Sequence, residues 1–128
     1  MSFGGAIYDL LYTDATVQGI VSTRIYPLRI PQGHTLPAIT YFKVGGGPFN
    51  TKDGAATDDF DMMQVSLFAT SYSTIESLYD AVRGALERYT GTQDTTEIHT
   101  ITYLSHTDMY EEDAEVYHRA MDFKIWIK

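Results

Sequence analysis

AEVYHRAMDFKIWIK, residues Ala114 to Lys128, decides the fold. From Tyr117 onward its side chains alternate. Tyr117, Arg119, Met121, Phe123, Ile125 and Ile127 share one parity, and His118, Asp122, Lys124 and Trp126 share the other. A period of two marks a β-strand with one face on a core and one face elsewhere. The stretch holds no Gly or Pro, the residues that most weaken a strand interior. Burying Met121, Phe123, Ile125 and Ile127 would stabilise the fold by roughly 1.5–3 kcal/mol each before entropy is counted. A segment this apolar needs a sheet to belong to.

The rest of the chain supplies candidates for that sheet. Phe60 to Ala69 alternates again, with Met63, Val65, Leu67 and Ala69 on one face and Gln64 and Ser66 on the other. Ala38 to Val44, AITYFKV, is β-branched and aromatic, but both parities are apolar and its buried face stays open. Glu97 to His106, EIHTITYLSH, is a further strand. Against these strands lies the clearest helix, Ser73 to Tyr89. Ile75, Leu78, Tyr79, Val82, Leu86 and Tyr89 fall at steps of three and four and form one apolar stripe. Ser73 and Glu76 have capping-box spacing, Arg83 and Arg88 suit the dipole of its second half, and Gly91 is the expected stop.

The connections carry their own signals. Ile7, Leu10 and Leu11 predict a short helix from about Gly5 to Tyr12. Thr13 or Asp14 then caps a second turn through Val17, Ile20 and Val21. Arg24 to Pro37 holds three of the four prolines and is expected to run extended over the surface. Gly45 to Asp59, GGGPFNTKDGAATDD, reads as one irregular stretch of fifteen residues, the tip of a long projecting hairpin. Asp108 to Glu115 crowds five carboxylates into eight residues and reads as a polar connection. The predicted order is helix-strand-strand-helix-strand-strand. It makes residues 1–128 a single α+β domain, an antiparallel four-stranded sheet with its helices on one face.

Composition narrows the function. The net charge is −8, and the nine Lys and Arg residues are scattered without a run. Gripping phosphate backbones requires clustered cations, so sequence-specific nucleic-acid binding is not expected. A protein past which DNA merely slides would gain from repelling it. There are no cysteines, which removes disulfides and thiol chemistry. No stretch approaches the roughly 20 apolar residues of a membrane span. The first residues, MSFGGAIYDLLYTD, lack the basic start of a signal peptide.

Candidate chemistry is weak throughout. His99, His106 and His118 lie on strands that could be neighbours, but no metal-binding spacing joins them, and ordinary sheet histidines are the better reading. Asp58, Asp59 and Asp61, and Glu111, Glu112 and Asp113, lack the ligand alternation and Gly of a calcium loop. Gly45-Gly46-Gly47 has no following Gly-Lys pair and is a hinge rather than a phosphate loop. No catalytic residue, metal or cofactor is expected, and the chain reads as no enzyme. A small metal-dependent enzyme or ligand-binding domain built on the three strand histidines is the unfavoured alternative. What stands out is the sheet face away from the helices, where Phe68, Val116 and Trp126 beside Met62 mix with His and Lys, as at an interface.

The chain also resembles a family. An amphipathic N-terminal helix is followed by Arg24-Ile25-Tyr26-Pro27, Pro31-Gln32-Gly33 and Leu36-Pro37-Ala38-Ile39-Thr40-Tyr41. Then come Asp59 to Ala69, Ser71-Tyr72 opening a helix through Val82-Arg83 and Leu86, and Tyr117-His118-Arg119 before Met121, Phe123 and Ile125. In this order they resemble the tail completion, or tail terminator, proteins of long-tailed bacteriophages and gene transfer agents. The resemblance implies a structural virion protein that forms a homo-hexameric ring on the tail tube. Such a ring ends tube growth and joins the tail to the head connector or stopper, with DNA as passing cargo. It implies a place at the head-proximal end of the virion tail, assembly in the bacterial cytoplasm, and no membrane. A head-side neck or stopper protein is the alternative within the same class. The assembly interface is expected at Phe49, Lys52, Asp53, Phe68 and Trp126.

Overall fold

The alternation in the final stretch becomes a strand, β6 (Val116–Ile127), in a six-stranded sheet. The structure, a computed structural model, describes residues 3–31, 35–51, 54–93 and 96–127. Met121, Phe123 and Ile125 are fully buried. On one side β6 pairs antiparallel with β3 (Gly54–Ala69), with Met63 opposite Phe123 and Val65 opposite Met121. On the other it pairs antiparallel with β5 (Thr96–Glu111), with Ile101 opposite Ile125. β2 (Ala38–Thr51) flanks β3, again antiparallel. The ambiguity of AITYFKV resolves here. Ile39, paired with buried Leu67, joins the core, while Thr40 is shielded on the other face beside Ser66.

The four antiparallel strands are those expected, but the sheet has two more. β1 (Ile25–Pro27) pairs parallel with Ile39 to Tyr41, and β4 (Gly91–Gln93) pairs antiparallel with the start of β5. The sheet order is therefore β1-β2-β3-β6-β5-β4. Each added strand has three residues, too few for a period of two to register. Pro27 closes β1 at the sheet margin, where a missing N–H does no harm.

Two expected loops prove to be strand. β2 runs through Gly45 to Thr51 and β3 starts at Gly54, so the stretch from Gly45 to Asp59 is mostly a paired hairpin arm. Its ladder shifts register between Lys43 and Gly45 and between Pro48 and Asn50. Glycines and a proline, read as loop signals, are tolerated because this part of β2 has a strand on only one side. Likewise β5 continues to Glu111, and only residues 112–115 turn.

Three helices cover one face of the sheet. α1 (Phe3–Thr13) buries Ala6, Ile7, Leu10 and Leu11, a 3.6-residue stripe. Asp14 then caps α2 (Ala15–Val21), its carboxylate accepting from the amides of Thr16 and Val17, both at 3.0 Å. α3 (Tyr72–Leu86) lays Ile75, Leu78, Val82 and Leu86 on the sheet. The predicted capping box does not form. Ser71 is the N-cap, its hydroxyl bonds to that of Ser73, and Glu76 turns away to a buried arginine. The helix also stops earlier than expected, at Leu86, and Gly91 lies in β4.

Candidate functional site

The strands β3 and β6 have a second face on which, among the described residues, no helix packs. Its ends are half-buried, and Ser66 and Ala120 at its middle are buried. Cross-strand pairs run along it in order: Phe60 with Trp126, Met62 with Lys124, Gln64 with Asp122, Ser66 with Ala120, and Phe68 with His118. The two ends are aromatic and the middle is small or polar. At one end the Phe60 and Trp126 rings lie 5.5 Å apart, and the Lys124 ammonium sits 4.4 Å and 4.5 Å from their centroids. Such cation–π contacts are worth about 0.5–1 kcal/mol at exposed sites. In the middle Gln64 donates to Asp122 at 3.3 Å. Toward β5 the face becomes a hydroxyl strip, Thr100, Thr102, Ser105 and Thr107.

At the other end His118 stacks on Phe68, with centroids 4.2 Å apart and planes 20° from parallel. Its Nε2 is buried and finds no hydrogen-bond partner. Burial pushes the imidazole pKa down, while Glu111 opposes the shift more weakly. The ring is therefore held neutral. An orphaned buried nitrogen is uncommon in a finished structure, because an unmet polar atom loses its hydration for nothing.

The face thus brings Phe68 and Trp126 onto one surface, as expected, but at opposite ends, about 27 Å apart along the strand. Met62 shares it, and Val116 lies beyond His118, opposite Glu111. Phe49 is placed by backbone only, in the hairpin arm, while Lys52 and Asp53 lie outside the described residues. The strand histidines do not come together. His106 stands opposite Met121 and against Tyr79 on the helix side, and His118 points the other way.

Sequence reading missed a polar cluster on the covered face. Arg119 occupies a core parity and is 3% exposed. Its Nε donates to Asp108 at 2.6 Å, and its Nη2 donates to Asp108, to the Tyr72 hydroxyl and to Glu76. The guanidinium lies 4.8 Å from the Tyr79 ring centroid. The hydrogen bond from Arg119 holds the Asp108 carboxyl below the usual range, and the carboxylates in turn raise the guanidinium pKa. Beside it runs a chain in which Arg83 donates to Tyr79, Tyr79 to Tyr103, and the Tyr103 hydroxyl meets His106 Nδ1 at 2.6 Å. Burial, helped by the Tyr79 hydrogen bond, pushes the Tyr103 phenol up to about 12. These bonds tie α3 to β5 and β6. The one sequence signal was an arginine breaking an otherwise apolar parity.

Known proteins resemble the chain both in family and in fold. A family model described as tail completion protein gp17 matches residues 5–128. Among solved structures, a chain from the virion of a native gene transfer agent particle shares the fold. The TM-score is 0.79 at 19% identity, covering 95% of this chain and 91% of that one. No curated protein matches.

Proposed function

The chain belongs to the tail completion protein gp17 family and is a structural component of a virion tail, and on that premise we propose that it closes the tail tube as a ring. In this reading copies of the chain sit on the last ring of the tube, end its growth and present the surface that joins the tail to the head connector. DNA passes through the lumen. The observation that carries it is the half-buried face of β3 and β6 away from the helices, with an aromatic cluster at each end and an orphaned imidazole nitrogen. The rings on this face are half-buried rather than exposed, and their mix with polar groups is that of an interface rather than a core. Phe68 and Trp126 are its anchors, and Phe49, Lys52 and Asp53 add contacts to a neighbouring copy or to the tube. The charge of −8 suits a lumen past which DNA slides, since like charge lowers sticking.

Mixing the purified chain with tail tube protein tests this. Tubes grown in its presence should be capped at one end by a ring and should stop lengthening. Tubes that grow unchanged would sink the reading. Preferential binding to the connector, with none to the tube, would instead make the chain a head-side neck protein. Deleting Phe49 to Ala56 should impair capping while leaving the sheet folded.

A further inference from the structure

The sheet ends on two open edges of opposite character. Among the described residues, six large apolar side chains are exposed: Leu28, Val44, Tyr72, Leu104, Met109 and Tyr110. All of them stand at one sheet edge or the other. Leu28 follows β1, its amide bonded to the Tyr41 carbonyl, and Val44 lies on β2 just past the reach of β1. Leu104, Met109 and Tyr110 lie on β5 past the reach of β4, and Tyr72 is bonded to Asp108 of that strand. The charges divide the same way. The β1–β2 edge carries exposed Arg29 and Lys43, the latter 3.6 Å from Asp61 of β3. The β5 edge and its turn carry Glu111, Glu112, Asp113 and Glu115 beside Asp108, which Arg119 holds.

We propose that these edges meet between copies of the chain, the β1–β2 edge of one copy docking on the β5 edge of the next and continuing the sheet. The partner is thus a second copy, joined head to tail. An unpaired strand edge offers backbone donors and acceptors to another chain. Pro27 has no N–H to give, so here that stretch is β2 past the reach of β1 and β5 past Ile101, whose carbonyl accepts from Arg88. Leu28 supports the assignment. It holds a φ of 70°, a region costly for a branched side chain, and it is 68% exposed, so no packing within the chain repays the strain. On the β5 edge an apolar cleft of about 240 Å³, lined by Tyr72, Ile75, Met109, Tyr110 and Tyr117 among others, is a fitting receptacle for it. Contact between two different patches generates either a closed ring or an open filament, according to the rotation per step. The inference deepens the ring reading above and rests on it, for it names the surfaces that would join the subunits.

Two variants test it, each blocking one edge. Leu28→Asp sets an anion against the acidic edge at a position where Asp adopts positive φ more readily than Leu. Met109→Lys sets a cation against Arg29 and Lys43. Self-association is measured by sedimentation at high protein concentration. Each variant alone should weaken it about tenfold or more, because like charges meet at the contact. An equimolar mixture of the two should recover it, since each contact then pairs either two intact edges or Asp with Lys. Thermal melting within a few degrees of wild type shows both to be folded. A wild-type chain that stays monomeric, variants that associate as wild type does, or a mixture that recovers nothing would each overturn the edge pairing. Capping of tubes is scored separately. Rings built on these edges that fail to cap a tube would refute the tail-closing reading and leave the edge pairing standing.

Discussion

Arg119 and His118 are neighbours in sequence and opposites in circumstance. Arg119 points to the helices, where Asp108, Glu76 and Tyr72 accept its protons and Tyr79 lies under its plane. His118 points to the open face, where its ring finds a stacking partner and its buried Nε2 finds nothing. The same strand is complete on one side and unfinished on the other. A face whose polar groups are satisfied within the chain belongs to folding. The proposed assembly role falls to the other face, where one half-sheltered group, His118 Nε2, is unmet.

Substitutions on the two faces should therefore separate stability from assembly. The largest effect is expected at Phe123, which is fully buried in the core between β3 and β5. Phe123→Ala should cost about 3–5 kcal/mol in urea unfolding, by lost transfer energy plus the cavity left behind. Arg119→Met comes next. Breaking a buried ion pair costs about 3–5 kcal/mol, but Asp108 and Glu76 are partly exposed and can turn to water, so a loss of about 2 kcal/mol is expected. Trp126→Ala, which removes a half-buried ring packed on Phe60 and under Lys124, should cost about 1.5 kcal/mol, yet should impair capping more than Phe123→Ala compared at equal folded concentration. Equal losses of stability and capping at both positions would erase the distinction between the faces.

The faces should also titrate at opposite ends of the pH scale. The folded-state pKa of His118 is depressed, so the unfolded chain takes up a proton first. Its contribution is present above pH 6.5, the ordinary histidine value, and is lost as pH falls through the folded pKa. The Tyr103 phenol on the covered face is raised to about 12, so its contribution is present below pH 10 and is lost between 10 and about 12. Unfolding curves of His118→Phe and Tyr103→Phe should flatten the acid and the alkaline limb respectively. These are the smallest effects, and a variant that flattens neither limb removes the corresponding assignment.

The contrast also explains what could be read from the sequence. The stripe of α3, the alternation of β3 and β6 and the Asp14 cap follow local rules that tertiary structure left in place. The hairpin arm was misread because Gly45-Gly46-Gly47 and Pro48 punctuate loops elsewhere, whereas an edge strand tolerates them. β1 and β4 are too short for periodicity, and they form only because β2 and β5 offer edges to pair with. Glu76 has capping-box spacing, but Arg119 lies forty-three residues away and outbids the cap. The face away from the helices was legible as a mixed parity containing Phe68 and Trp126. Its division into two aromatic ends needed the register, which no local pattern encodes.

Trp126 is the only tryptophan in the chain and stands on the open face, so it reports directly on whether that face is covered. A fluorinated tryptophan incorporated there, observed by fluorine NMR as tail tube protein is added, gives the most direct test. If the face is an assembly surface, the resonance should shift and broaden in step with capping. Tubes that are capped while the Trp126 resonance keeps its free-chain position and width would contradict the account.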